Sequence, residues 1–239
     1  MLYGVTFGGR HSYLNWGLTL KSRPDISPPE PKYVYVDIPS ADGQLDLTES
    51  LTGFVPFKSR TITCEFNVID PRRRWDAIYS EILDYLQGKE LEFIKDEDPA
   101  YFYKGRFQVD EWESSKRTAT LVISGVVEPY KKELWTSYDP WIWDTFNFET
   151  GVIREWFDMT VEGTLNVTVV GSRMPVVPIF TVNTHNPDEG MDMTWKGQTY
   201  HFNRGRSHNP NIVFQGTNEE TLTITGNGSV SIWYQGGRL

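Results

Sequence analysis

The sequence predicts a mostly β protein with one α-helix: an N-terminal β-sandwich-like domain flanked by that helix, followed by a C-terminal antiparallel β-sandwich. Three observations point there. Short stretches along the whole chain alternate apolar and polar residues at period two. Aromatics make up 14% of the 239 residues and are mixed with 20 Gly and 14 Pro, a combination that suits many strands and turns. Full helix signals occur in one segment only, residues 70–88.

In chain order, residues 21–31 (KSRPDISPPEP) hold four prolines and form an extended connector. YVYVDI (33–38) alternates like a half-buried strand. Residues 39–59 have weak periodicity but contain Asp42-Gly43, and Gly53 before Pro56, so they form a long loop or protruding hairpin. In RTITCEFNV, Ile62, Cys64, Phe66 and Val68 alternate with Thr61, Thr63, Glu65 and Asn67, the pattern of a strand with one buried face. The helix follows, with Asp70 as N-cap, Pro71 in the first turn and Gly88 past the end. Trp75, Ile78, Tyr79, Ile82 and Leu86 share one apolar stripe. LEFI (91–94), FYKGRFQVDEW (102–112) and RTATLVISGVV (117–127) are strands, the last two joined by a hairpin loop at 113–116.

Composition shifts across 129–144 (PYKKELWTSYDPWIWD). Up to residue 133 there are 17 basic and 21 acidic residues, and from 134 on only 6 and 11. Two domains are therefore expected, 1–133 and 134–239. Strands in the second are expected at 152–156, 164–170, 176–184, 198–203, 211–214, 221–225 and 229–234.

Function classes narrow by exclusion. One cysteine, Cys64, supports neither a disulfide framework nor a multi-thiolate zinc site. A net charge of -9 speaks against a broad grip on nucleic acid or anionic lipid. No apolar run approaches the ~18 residues of a membrane span, and no signal-peptide layout opens the chain, so a soluble protein of a reducing compartment is expected, with no membrane partner. His11, His185, His201 and His208 are scattered without metal-ligand spacing, and no nucleophile or phosphate-loop motif occurs. Cys64 lies on the apolar phase of its strand and counts as a small core residue. The carboxylates Asp96, Glu97 and Asp98, and Asp188, Glu189 and Asp192, fit solvated turns better than a calcium loop. The expectation is no catalytic residues, no cofactor and no metal: not an enzyme.

Two further groups stand out. Trp135, Trp141 and Trp143 at the seam suit an interdomain contact better than sugar stacking. Arg72, Arg73 and Arg74 set three cations against the positive end of the helix dipole, which suggests a carboxylate patch on a neighbouring subunit.

The stretch FGGRHSYLNWGLTLKSRPDISPPEPKYVYVDIPSADGQLDLTE resembles the start of the distal tail proteins of long, non-contractile (siphovirus) phage tails: an aromatic-Gly-x-x-Ser segment, Gly-Leu-x-Leu, a proline-rich connector and Gly-x-Leu-Asp-Leu-Thr. The resemblance continues through RTITCEFNV, WDAIYSEILDYLQGK and YFYKGRFQVDEWE, and covers roughly residues 4–130. It implies a structural virion component at the tail tip, assembled in the host cytoplasm. Such proteins form a hexameric ring that joins the tail tube to the hub protein of the baseplate and leaves a channel for DNA in transit. It also implies a galectin-like sandwich in the second half.

A ring needs one patch to meet a different patch on the next copy. The 39–57 stretch is the candidate contact, with Leu45, Leu47, Leu51 and Phe54 as anchors and Arg72, Arg73 and Arg74 as further interface residues. Thr61, Thr63, Glu65 and Asn67 are the candidate channel wall, where few cations would hold a polyanion. The alternative readings are a carbohydrate-binding module acting in cell-wall adsorption, from the aromatic-rich sandwich, and a hydrolase with carboxylates hidden in the fold.

Overall fold

The computed structural model describes residues 4–40, 42–68, 75–114, 118–139, 153–184, 186 and 189–239. It divides into two compact units, residues 1–131 and 132–238.

Unit 1 carries β1 (Val5–Phe7), β2 (Arg10–His11), α1 (Ser12–Trp16), β3 (Leu18–Leu20), β4 (Asp25–Ile26), β5 (Tyr35–Asp37), β6 (Gln44–Asp46), β7 (Arg60–Val68), α2 (Trp75–Leu86), β8 (Glu90–Lys95), β9 (Asp98–Ser114) and β10 (Ala119–Val127), and ends as β11 (Lys131–Glu133) begins. Its main antiparallel sheet runs β2-β1-β8-β9-β10-β7-β3, with β4 added on β7. The period-two pattern of RTITCEFNV holds residue by residue: Ile62, Cys64, Phe66 and Val68 are buried and their alternates are not. Burial pushes the Cys64 thiol up to about 12, so the group stays protonated and unreactive.

Helix α2 covers the inner face with the expected stripe. Ile78, Ile82 and Leu86 join Phe7, Phe66, Phe93, Phe107 and Leu121 in one core, and the Tyr79 ring stacks on Trp112 at 4.8 Å. Gly88, at φ +71, ends the helix in the left-handed conformation that glycine adopts without cost. Asp70, Pro71 and the three arginines lie outside the described residues.

A second helix, α1, escapes periodicity because it is a single turn. His11 caps it: the ring Nδ1 accepts the Tyr13 and Leu14 N–H groups. The proton therefore sits on Nε2, 3.0 Å from the Asp96 carboxylate, which also takes the Gly4 N–H. The other carboxylates of that turn have their own cations, Glu97 with Arg23 at 3.1 Å and Asp98 with Lys131 at 2.6 Å. This acidic turn is a set of staples.

YVYVDI departs from expectation. Its residues are exposed, and β5 pairs only with β6, in a two-stranded sheet separate from the main one. Alternation there marks a hairpin arm rather than a core strand.

Unit 2 contains β12 (Met159–Val170), β13 (Ile179–Thr184), β14 (Met191–Trp195), β15 (Gln198–Phe202), β16 (Gly205–Ser207), β17 (Glu219–Trp233) and β18 (Gly237–Arg238). The sheet order β15-β14-β17-β13-β16 hides a simpler plan. β13 and β14 pair end to end along the same side of β17, while β12 pairs with residues 219–230 on its other side. β15 and β16 line up likewise beyond β14 and β13. Four long strands result, and their interruptions share one level: Gly163 opposite Gly226, the interval between β13 and β14, and Asn203-Arg204.

That level is a crease. Twelve strand residues span ~40 Å when flat, yet the Phe214 ring lies 5.0 Å from Trp195, beside the start of β17, and 5.8 Å from Tyr234, just past its end. The expected sandwich is thus one sheet doubled over a core of Val161, Phe180, Met193, Ile224, Val230 and Ile232.

Several expectations for this unit are corrected. Gly226-Asn227-Gly228 is not a turn between two strands but the bend inside β17. Residues 153–156 form no strand, though Trp156 is buried and its carbonyl accepts the Ile232 N–H. NIVF is reduced to a single bridge, Val176 to Phe214. MDMTW, by contrast, is strand β14, masked in the sequence by the acidic residues before it.

Candidate functional site

Two features of unit 1 concentrate the residues singled out from sequence. The first is a finger rooted on β7. Its root pairs outward from the main sheet: the Ser27 N–H donates to the Thr61 carbonyl, Lys58 to Glu30, and Lys32 to Pro56. Beyond the root, β5 and β6 pair Tyr35 with Asp46, Val36 with Leu45 and Asp37 with Gln44. The Leu47 N–H donates to the Val34 carbonyl and continues the ladder.

Cross-strand neighbours share a face, so this register sorts the finger cleanly. Val34, Val36, Ile38, Leu45 and Leu47 form one face, wholly apolar. Tyr33, Tyr35, Asp37, Gln44 and Asp46 form the other, with the two tyrosine rings stacked at 5.9 Å. Of the fourteen exposed large apolar side chains among the described residues, seven lie between positions 33 and 51. A lone two-stranded hairpin is marginal in water, and one with an all-apolar face invites a cover.

The nominated anchors fare differently. Leu45 is 47% exposed and Leu51, in the loop after β6, is 96% exposed, whereas Leu47 and Phe54 are half-buried. Tyr33, Val34, Tyr35, Val36 and Ile38 were missed as surface residues. The signal that could have found them is the Asp42-Gly43 turn, which pairs 33–38 with the leucines that follow.

Thr48 holds the finger to its root. Its Oγ1 accepts the Val34 N–H at 3.0 Å, and the Asp46 carboxylate accepts the Thr48 N–H at 2.9 Å. Hydrogen bonds from the Thr48 hydroxyl and then its amide hold Asp46 below the usual carboxylate range. A carboxyl lowered in the folded state supports the fold when ionised, so this contribution is present at neutral pH and is lost as pH falls through the lowered value. Thr48→Val removes the relay at every pH; faster hydrogen exchange at the Val34 and Leu47 amides, with the α2 amides unchanged, is the expected readout.

The second feature is the outer face of the main sheet. Pairing of β7 with β10 and of β10 with β9 builds four cross-strand rows: Thr61–Val126–Arg106, Thr63–Ser124–Gln108, Glu65–Val122–Glu111 and Asn67–Thr120–Glu113. The four polar residues expected from β7 thus stand together, and β9 adds Glu111 and Glu113. Lys21 pairs with Glu65 at 3.1 Å. The face is mostly polar, with Val122 and Val126 in its β10 positions, and its cations are Arg106 and Lys21.

At the finger root one group is unusual. Arg60 is 6% exposed, lies 4.9 Å from the Tyr103 ring, and leaves Nε and Nη2 without hydrogen-bond partners; desolvation lowers its pKa.

Trp135 is 39% exposed, while Trp141, Trp143 and Arg72–Arg74 lie outside the described residues. In unit 2, Trp156, Trp195, Phe214 and Tyr234 are interior residues rather than an exposed stacking platform. Among the described residues no helix is long and apolar enough to cross a membrane, and no three His, Cys, Asp or Glu side chains converge as metal ligands.

No protein-family model and no curated protein matches the chain. Among solved structures, the crystal structure of the SPP1 Dit (gp 19.1) protein, titled a paradigm of the hub adsorption apparatus in phages infecting Gram-positive bacteria, is similar over 98% of this chain and 99% of that one. The TM-score is 0.58 at 12% sequence identity. The chain has the fold of that tail protein along its whole length.

Proposed function

We propose that, as its fold and its N-terminal segment suggest, this chain is the distal tail protein of a long, non-contractile phage tail. It is a structural component of the virion tail tip and not an enzyme. Copies of unit 1 join in a hexameric ring that connects the tail tube to the hub protein and leaves a channel for DNA. In that assembly unit 2 projects outward from the ring.

The observation that carries this reading is the apolar face of the finger. Val34, Val36, Ile38 and Leu45 are held by backbone pairing in a register that presents them together, yet they lie outside the unit 1 core. Such a face on a soluble chain is explained by a neighbour that buries it, and a heterologous contact repeated around an axis closes a ring. Arg72, Arg73 and Arg74 are further proposed contacts. Light scattering after size exclusion should give a mass near six chains at high concentration, and negative-stain images should show a central hole. Monomers at every concentration would refute the ring.

The outer sheet face is the proposed channel wall. Thr63, Glu65, Asn67, Glu111 and Glu113 neutralise no phosphate, so DNA gains no counterion-release energy from them. Repeated around the proposed ring of six, Glu65→Lys with Glu111→Lys adds about twelve lysines to the channel and should convert a wall that ignores DNA into one that retains it. Filter binding at about 50 mM salt, lost by about 200 mM, is the expected signature.

A further inference from the structure

We propose that the dent lined by residues 201–209 in unit 2 binds a single oxyanion, a phosphodiester or carboxylate, carried on a flexible, hydroxyl-bearing chain. It lies where the outermost strand breaks at the crease: β15 stops at Phe202 and β16 starts at Gly205. The break leaves a cavity of about 220 Å³.

Its lining is chemically one-sided. His201, Arg204, Arg206 and His208 are on it and no acidic residue is, the nearest carboxylate contact being Asp192 on the His201 ring. Two of the 6 Lys and Arg residues found from position 134 onward are thus gathered here, in a segment with 11 acidic ones. Arg204, Arg206 and His208 are exposed and make no side-chain hydrogen bond or ion pair among the described residues. Several other basic side chains of unit 2 are paired. Lys196 pairs with Glu220 at 3.0 Å, Arg154 with Glu133 at 2.7 Å, and His201 itself with Asp192 at 2.7 Å.

Ser207 is registered opposite the buried Phe180, so its hydroxyl belongs to the core side of the strand, while Arg204, Arg206 and His208 share the outer phase. Two guanidinium forks and the His208 imidazole suit one tetrahedral or planar oxyanion. Asn203 and Asn209 at the rim can hydrogen-bond hydroxyls on either side of it.

Duplex DNA is the other polyanion in view, and the site does not suit it. Two arginines neutralise one or two phosphates, far fewer than the 6–10 contacts of a typical DNA-binding surface. The whole chain, at net charge -9, adds repulsion. A polyol phosphate or uronic acid chain is charged too, but as a single slender strand it can place one anionic group against the two arginines with its other charges held out in solvent.

The test uses the full chain at low salt, titrated by calorimetry with short poly(glycerol phosphate), oligogalacturonate, a neutral galactose oligomer and a single-stranded oligonucleotide. An anionic oligomer should bind with a dissociation constant on the order of 0.1–1 mM, and the tighter of the two names the source. Arg204→Ala with Arg206→Ala should weaken it at least about tenfold. Lys196→Ala, which removes a cation elsewhere in unit 2, should leave it unchanged. Thermal melts confirm that each variant is folded. Equal affinity in the double arginine variant, equal binding of the neutral oligomer, tighter binding of the oligonucleotide, or no binding below about 10 mM would each overturn the site. The ring does not enter this test: binding by monomers, or rings that do not bind, separates the two proposals.

Discussion

Leu45→Asp combined with Leu47→Asp should reduce the assembly to monomers at concentrations where the unaltered chain forms rings. The reason is specific to the register. Leu45 sits opposite Val36, and Leu47 opposite Val34, so the two changes place carboxylates at the centre of the one apolar face that the finger offers. Burying an unpaired carboxylate in a contact costs several kcal/mol, and losing each leucine removes about 1.5–3 kcal/mol of apolar burial. A rise of at least about a hundredfold in the dissociation constant between neighbours follows, as about 2.7 kcal/mol already suffices for that. Neither leucine belongs to the unit 1 core, so the melting transition followed by the tryptophans of that core should barely move. Rings that survive the double change would show that the finger is not the contact. A fall in melting temperature with the ring intact would show that the finger is part of the fold instead.

The largest stability effect is expected at Gly228, where alanine should cost unit 2 about 2–4 kcal/mol. Its φ is +144, and a Cβ there would lie 2.1 Å from the Asn183 carbonyl oxygen, a backbone atom of the paired strand that cannot step aside. Gly226, at φ +152, is crowded less severely, since a Cβ there would lie 2.8 Å from the Met191 side chain and 3.4 Å from its backbone. Together they let β17 bend enough for the sheet to double over. Gly163, on β12 opposite Gly226, supplies a built-in control: its φ is +77, but a Cβ there would meet nothing within 4 Å. Gly163→Ala should therefore cost only the backbone strain, about 1 kcal/mol. Equal effects at the two positions, measured by urea unfolding with Trp156 and Trp195 as reporters, would mean that crowding at the crease is not what glycine relieves.

Legibility from sequence tracked how many neighbours decide a residue's environment. Strand β7 and helix α2 read correctly because each buries one face against a single continuous core, so burial follows the local period. YVYVDI has the same alternation as RTITCEFNV, yet one arm is exposed and the other buried. Nothing within six residues states whether a strand will find a sheet or only its own hairpin partner. Gly226-Asn227-Gly228 reads as a turn because turns are where glycine most often sits; the need came from Met191 and Asn183, 35 and 45 positions earlier. The wall residues on β7 were legible as a polar phase, but Glu111 and Glu113 joined them only through the pairing of β9 with β10.

The chain alone thus determined which segments have one greasy side, where its one long helix runs, that Cys64 is an inert core group, and that its anionic character leaves little to grip nucleic acid. These follow from periodicity, capping and charge, which are properties of neighbours in sequence. Only the tertiary structure decided that the apolar side of residues 34–47 stays uncovered, that the second sandwich is one sheet doubled along a glycine crease, and that Arg204, Arg206 and His208 line a common hollow. Those outcomes depend on register and on long-range pairing, where a shift of one residue turns every side chain to the opposite face.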